Sequence, residues 1–123
     1  MSRLRLQESG EMYLESILVL SQKAANVRAI DICEYRCVSK PSVSRAVGLL
    51  KDGGYINVAA DGALTLTDEG YRVASKIYER HTVITELLCN IGVDEKIAAE
   101  DACKVEHVIS DETFAAIKKA IKK

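Results

Sequence analysis

Residues 29–67 read AIDICEYRCVSKPSVSRAVGLLKDGGYINVAADGALTLT, and they predict two short helices followed by a β-hairpin. Ser39 marks the start of the second helix, because a serine hydroxyl can accept a hydrogen bond from a backbone N–H of the first turn. Pro41 supports this start, since proline is well tolerated in the first helical turn. The two helices are therefore predicted over residues 29–36 and 40–51, with a tight turn between them.

The hairpin is predicted directly after the second helix. Residues 55–59 alternate apolar and polar side chains, Asp61-Gly62 is a strong signal for a two-residue hairpin turn, and residues 63–66 form the return strand. A helix–turn–helix followed at once by a two-stranded hairpin is the winged-helix arrangement. In a helix–turn–helix the second helix enters the major groove of DNA.

Four more helices are predicted around this segment, at about residues 7–23, 67–90, 93–108 and 110–121. The fold class is therefore mainly α with a small β-hairpin: an N-terminal winged helix-turn-helix domain over residues 1–67 and a helical dimerisation domain over residues 68–123. Apolar residues of the long helix recur roughly every 3.5 positions, which suits pairing between helices of two subunits. These residues are Tyr71, Ala74, Tyr78, Ile84, Leu88 and Ile91.

Polar side chains at the start of the second helix of the helix–turn–helix suit DNA. Arginine can donate two hydrogen bonds to guanine, serine can bond a base or a phosphate, and helix N-terminal amides attract phosphate. Residues 1–60 hold eight Lys and Arg against six Asp and Glu, so this half carries a small positive excess. A solvated helix of an ordinary bundle would also have a polar start, but the hairpin that follows favours DNA binding. The predicted DNA-binding residues are Ser39, Lys40, Pro41, Ser42, Ser44 and Arg45.

Composition and cysteine spacing exclude several other classes. The chain has 123 residues, and the longest purely apolar run of its N-terminal region is Ile17–Leu20, too short for a membrane span or a signal peptide. A cytoplasmic protein without membrane contact is therefore predicted. The four cysteines fit neither a disulfide scaffold nor a four-cysteine zinc module. Cys33, Cys37 and Cys89 are interpreted as reduced core residues.

The fourth cysteine belongs to a possible metal site, in the segment Cys103-Lys104-Val105-Glu106-His107. Cys103, Glu106 and His107 are spaced i, i+3 and i+4, so their side chains project from one face of a helix. Thiolate, carboxylate and imidazole are ligands of divalent transition ions. A helical cysteine or methionine is more often a core residue, however, and a Glu-His pair more often lies on a solvated surface. Candidate ligands from other helices are His81, Met12 and Glu15.

In combination, these segments resemble the diphtheria-toxin-repressor family of iron/manganese-dependent transcriptional regulators, in a two-domain form without a C-terminal β-barrel domain. The resemblance covers about residues 10–121, and its most specific motif is DACKVEHVISDE at residues 101–112. The other motifs are EMYLE at residues 11–15, SKPSVS at 39–44, LTLTDEG at 64–70 and the run from Arg80 to Asp94.

The resemblance implies a role for each candidate ligand. In the iron-responsive branch, the positions of Met12, Cys103, Glu106 and His107 bind the activating ion. A second site of that branch would use His81, but its other two positions are Thr85 and Ala99 in this chain.

The manganese-responsive branch uses the positions of Glu15 and His81, but it has carboxylates where Met12 and Cys103 stand in this chain. The sequence is therefore a mosaic of the two branches. Its soft sulfur ligands favour Fe(II) over Mn(II), while Zn(II), Co(II) or Ni(II) can substitute in vitro.

The predicted function is that of a metal-dependent transcriptional repressor of metal-uptake or iron-homeostasis genes, and not that of an enzyme. The resemblance implies a homodimer that binds a double-stranded DNA operator with an inverted repeat. A manganese-responsive regulator is the first alternative. A metal-independent regulator that senses oxidants through Cys103 is the second, and a small metalloenzyme is the third, although no nucleophile elbow or nucleotide loop is evident.

Overall fold

The computed structural model describes residues 8–121, and within this range it contains six helices and one antiparallel sheet. The predicted fold class, mainly α with a winged helix-turn-helix and a small hairpin, is confirmed. The chain divides into two compact units, Met1–Ser75 and Lys76–Lys123. In chain order the elements are α1 (Glu8–Ser21), α2 (Ala29–Arg36), α3 (Lys40–Asp52), β1 (Ile56–Val58), β2 (Leu64–Leu66), α4 (Asp68–Asn90), α5 (Glu95–Val105) and α6 (Asp111–Ile121).

The first unit packs α1, α2, α3 and the hairpin around one apolar core. Leu14 and Ile17 of α1 and Ile32 of α2 are fully buried in it. The predicted cap of α3 is confirmed, because Ser39 Oγ accepts a hydrogen bond of 3.3 Å from the Ser42 amide. These contacts fix the helix–turn–helix against α1.

The hairpin turn differs from the two-residue turn that Asp61-Gly62 signals, although the predicted strands also leave residues 60–62 between them. The Ala59 amide donates to Ala63 O at 2.9 Å, so three residues, 60–62, connect the strands instead of two. Gly62 has a φ of +90°, which a side chain would strain, and its amide donates to Ala59 O. This is the turn followed by a left-handed residue that three-residue hairpins use. The Asp-Gly signal therefore located the turn but not its length.

An arginine ties the tip of the wing to the start of α2. Arg28 donates from Nε to Asp61 O at 3.1 Å and pairs with Asp61 Oδ2 at 3.2 Å. A backbone hydrogen bond from Ala63 and then the charge of Arg28 lower the pKa of Asp61. The pair is exposed, so its main effect is to orient the tip.

Gly70 in the first turn of α4 lies against the start of the hairpin. A Cβ atom at this position would lie 2.0 Å from the backbone oxygen of Tyr55, and backbone cannot easily move aside. Thr67 holds the same junction, because its hydroxyl donates to Gly54 O at 2.7 Å and accepts from the Gly70 amide at 3.1 Å. Any side chain at position 70 would force this junction apart.

We therefore expect Gly70→Ala to lower the free energy of unfolding by about 1–3 kcal/mol, the usual cost of overpacking. Gly48→Ala is the matched control, because no atom lies within 4 Å of a Cβ built at Gly48 on α3. Alanine is also the better helix former, so the control should be neutral or stabilising. Urea unfolding curves measure both variants, and equal stability of the two would contradict the close approach at Gly70.

Burial corrects the interpretation of Cys37 and shows which residues of the apolar stripe on α4 are exposed in the single chain. Cys37 was interpreted as a core residue, but it is exposed, because it occupies the left-handed position (φ 57°) that ends α2. Cys33 is buried and Cys89 is half-buried. In the predicted stripe of α4, Ala74 and Ile84 are buried, whereas Tyr71, Tyr78 and Ile91 are exposed at the ends and the side of the helix. None of the helices between residues 8 and 121 is long and apolar enough to cross a membrane.

The second unit contains most of α4 together with α5 and α6. Asp94 caps α5 by accepting hydrogen bonds from the amides of Lys96 and Ile97. The helix was predicted to continue through Val108, but it ends at Val105. Glu106 and His107 therefore follow the end of the helix, although Glu106 keeps a helical backbone conformation.

Candidate metal centre and nucleic-acid interface

Three of the predicted metal ligands lie together in the second unit. The Glu106 side chain is fully buried, and each of its oxygens faces an imidazole. Oε1 lies 2.9 Å from His81 Nδ1, and Oε2 lies 3.4 Å from His107 Nε2. α4 supplies His81, while the turn after α5 supplies the other two. A buried carboxylate between two imidazoles is a typical donor set for a divalent transition ion.

The burial of the Glu106 carboxylate favours a bound cation beside it. Among the described residues, none forms a hydrogen bond with the buried Glu106 Oε2, although His107 Nε2 lies 3.4 Å from it. A buried carboxylate is costly unless its charge is compensated, and a bound cation compensates it. Without an ion, Glu106 Oε1 and His81 Nδ1 share a hydrogen bond of 2.9 Å. The types of donor present, a carboxylate between two imidazoles, fit a divalent ion.

The remaining predicted ligands lie on α1 and α5. Cys103 is a half-buried cysteine one helical turn before Glu106. Met12 and Glu15 are on α1 in the first unit, where Met12 is half-buried and Glu15 is only 3% exposed. Burial of a glutamate without a functional or structural reason is rare, because its charged form loses hydration.

The two positions that depart from the iron-responsive branch offer no ligand. Thr85 donates its hydroxyl hydrogen to the backbone oxygen of His81 at 2.7 Å, and Ala99 has no donor atom. Within the second unit, Glu106 is an acidic neighbour of His81.

Sequence reasoning missed a buried arginine beside this cluster. Arg80 is 5% exposed and donates from Nη1 to Glu106 O at 3.1 Å and to Ile109 O at 2.8 Å. Its Nη2 donates to Asp111, and its guanidinium lies 5.4 Å from the centre of the Phe114 ring. Arg80 thus holds the turn that carries Glu106 and His107 against α4 and α6.

Helix periodicity could have identified Arg80. It is three residues after Ile77 and four residues before Ile84, both of which are 3% exposed, so the arginine falls on the buried face of α4. A charged residue on such a face needs a partner. One partner is Asp111, whose pKa is lowered first by a hydrogen bond from Lys76 and also by Arg80.

Most of the predicted DNA-binding side chains are exposed at the start of α3. Lys40, Pro41, Ser44 and Arg45 face solvent in the first unit. Ser42 is half-buried, and its hydroxyl accepts a hydrogen bond of 2.9 Å from Ser39 Oγ. Ser39 is thus engaged in capping α3, while the basic side chains lie on the open face of the helix.

A winged helix-turn-helix unit followed by a helical unit with a buried carboxylate–imidazole cluster is typical of metal-dependent transcriptional regulators. The sequence matches two domains of one such family. Residues 5–64 match the N-terminal DNA-binding domain of the iron-dependent repressors, and residues 67–123 match their metal-binding and dimerisation domain. The chain belongs to this iron-dependent repressor family, whose members are transcriptional regulators and not enzymes.

Individual relatives support this membership. An uncharacterized HTH-type transcriptional regulator of Methanocaldococcus jannaschii is 32% identical over 92% of each chain. The diphtheria toxin repressor of Corynebacterium diphtheriae is also 32% identical, over 95% of this chain and 52% of its own length. The solved structure of the manganese regulator SloR has 28% identity and a TM-score of 0.84, over 92% of this chain and 53% of its own. The chain thus spans about half the length of the last two relatives.

Proposed function

We propose that the protein is a metal-activated transcriptional repressor, which binds an inverted-repeat operator as a homodimer when it holds a divalent ion. The observation that carries this proposal is the fully buried Glu106 between His81 and His107. In the same chain, Lys40 and Arg45 are exposed near the N-terminal end of α3. Helix–turn–helix proteins place this end of the recognition helix in the major groove of DNA. Such a protein acts in the cytoplasm, on the genes of metal uptake or iron homeostasis.

The proposed ligands come from both units. Met12, Cys103, Glu106 and His107 form the first set, as the family resemblance implies, and Glu15 and His81 support a second ion beside it. Fe(II) is the proposed activator, since thioether and thiolate sulfur suit it better than Mn(II). Manganese remains the second candidate because Glu15 is a buried carboxylate and a structural relative is a manganese regulator.

The ion supplies positive charge that draws these ligands together. Met12 and Glu15 lie on α1, which packs against α2 and α3 in one core. An ion that binds these residues together with ligands of the second unit would therefore restrain the position of α3. In a dimer this restraint fixes the separation of the two recognition helices. Half-sites about 34 Å apart, one turn of DNA, can then be bound together. We expect a coupling of about 1–3 kcal/mol, or a 5- to 150-fold gain in DNA affinity.

Anaerobic DNA-binding titrations at fixed salt test this function. Metal-free protein is compared with protein at buffered free concentrations of Fe(II), Mn(II) and Zn(II), on a fragment of its own promoter. Tight binding only with metal is the expected result, with Fe(II) effective at a lower free concentration than Mn(II). Equal binding with and without metal would leave a metal-independent regulator, and loss of that binding on oxidation would then favour the thiol-sensing alternative.

The roles proposed for α3 predict a difference between two basic residues. Arg45→Ala should reduce discrimination between operator and random DNA, because arginine donates to base edges. Lys40→Ala should weaken binding to both DNAs by a similar factor, because a lysine at the helix start is suited to phosphate. Competition titrations give the specificity ratio, and an unchanged ratio for Arg45→Ala would argue against base contact by this residue.

A further inference from the structure

Arg36 at the end of α2 connects this helix to the proposed ligands on α1. Its Nη2 lies 3.7 Å from Glu15 Oε1, which is within range of charge attraction. Its Nε donates to Ser16 Oγ at 2.7 Å, and Ser16 Oγ donates to Met12 O at 2.8 Å. All of these contacts lie within the first unit. The guanidinium of Arg36 therefore lies beside the Glu15 carboxylate and is linked through the Ser16 hydroxyl to the backbone of Met12.

Arg36 and its neighbours on α1 have little exposure to water, which strengthens the electrostatic interactions of its guanidinium. The side chains of Arg36 and Glu15 are only 17% and 4% exposed, and Ser16 is fully buried. Water screens charges poorly in such surroundings, so the attraction between guanidinium and carboxylate is much stronger than for a surface pair. The same positive charge repels a divalent cation that approaches the carboxylate.

We propose that Arg36 is an internal cation that competes with the metal ion for Glu15 and thereby sets the free metal concentration at which the regulator is activated. This inference rests on the proposed function, because it takes Glu15 as a metal ligand. In the metal-free protein Arg36 compensates the buried charge of Glu15. When a dication binds to Glu15, that compensation is no longer needed and the repulsion from Arg36 opposes binding.

The sign of this effect distinguishes it from a structural role. A residue that only positions ligands weakens metal binding when it is removed, often by about 10- to 100-fold. Removal of a competing charge has the opposite effect and tightens binding. Arg36→Gln is the informative variant, because glutamine is neutral but can still donate a hydrogen bond to Ser16 Oγ. Arg36→Lys retains the charge and is the matched control.

The test is a titration of the metal-free 123-residue protein with Mn(II), measured by calorimetry, and with Fe(II) against a competing chelator under anaerobic conditions. We expect Arg36→Gln to bind about tenfold more tightly than the wild type and Arg36→Lys to bind like it. The stability of the metal-free protein in urea should fall for Arg36→Gln, because Glu15 loses its counter-charge. In a Glu15→Gln background, Arg36→Gln should increase the metal affinity by a clearly smaller factor, because only the direct repulsion between Arg36 and the ion remains.

Three results would overturn the inference. The first is unchanged or weaker binding by Arg36→Gln in a protein whose wild type binds metal, which would leave the proposed function intact. The second is a gain in affinity of the same size in the Glu15→Gln background, which would mean that the effect does not pass through Glu15. The third is the absence of metal binding by the wild type, which would remove the proposed function together with this inference.

Discussion

Glu106→Gln is expected to abolish metal-dependent DNA binding while the protein remains folded. The two side chains have the same shape, so the fully buried position is not overpacked or emptied. The change removes the negative charge that lies between His81 and His107 and places an amide where one carboxylate oxygen stood. An amide is a much poorer ligand for a transition ion, and it does not compensate the ion's charge. The entire metal-dependent gain, proposed above as about 5- to 150-fold, should therefore be lost.

The measurement is the DNA-binding titration at saturating metal, repeated for Glu106→Gln and for Glu100→Gln. Glu100 is an exposed glutamate on α5, so its substitution controls for a general change of charge on this helix. Met12→Ala and Cys103→Ala should lose metal-dependent binding as well, if both residues are ligands. A Glu106→Gln protein that still responds normally to Fe(II) would mean that the cluster is not the metal centre.

The sequence was sufficient for features that depend on local chemistry. The cap at Ser39 and the position of the wing follow from short-range hydrogen bonds and turn preferences, and both were predicted correctly. Their details depend on neighbours that a sequence pattern does not reveal. The turn at Gly62 has three residues, whereas the Asp61-Gly62 signal indicates two. α5 ends at Val105. Arg80 donates hydrogen bonds to the backbone oxygens of Glu106 and Ile109, which a longer helix would pair with its own backbone amides.

The half-buried Arg36 and the buried Arg80 show most clearly what the sequence alone cannot predict. Arg36 and Arg80 each lie three or four residues from buried positions of their own helix, namely Ile32 and Cys33 for the first and Ile77 for the second. A helical plot therefore indicates that both are on inner faces. It cannot show which carboxylate or carbonyl each one meets, because those partners come from other helices. The candidate ligands could be predicted from residue type and spacing. The roles of Arg36 and Arg80 could be identified only from their tertiary contacts.

Arg80→Met is expected to lower the stability of the metal-free protein and to weaken metal binding. Methionine fills much of the same space, but it cannot donate hydrogen bonds to Glu106 O and Ile109 O. A buried carbonyl that loses its donor costs about 1–3 kcal/mol, so a loss of roughly 3 kcal/mol in the free energy of unfolding is expected. The turn with Glu106 and His107 should also become less ordered. Loss of such a supporting contact typically costs about 10- to 100-fold in metal affinity.

Arg72→Met is the matched control, because Arg72 lies on the same helix and pairs with Glu69 at the surface. Its side chain is 63% exposed, so solvent screens the pair and its removal should change neither property measurably. Urea unfolding and metal titration of both variants separate the two arginines. Arg80→Lys should recover part of the stability, since one ammonium can donate to the same carbonyls but lacks the planar fork that spans them. If Arg80→Met unfolded at the same urea concentration as Arg72→Met, the turn after α5 would be held by other contacts, and the geometry of the metal centre would not depend on Arg80.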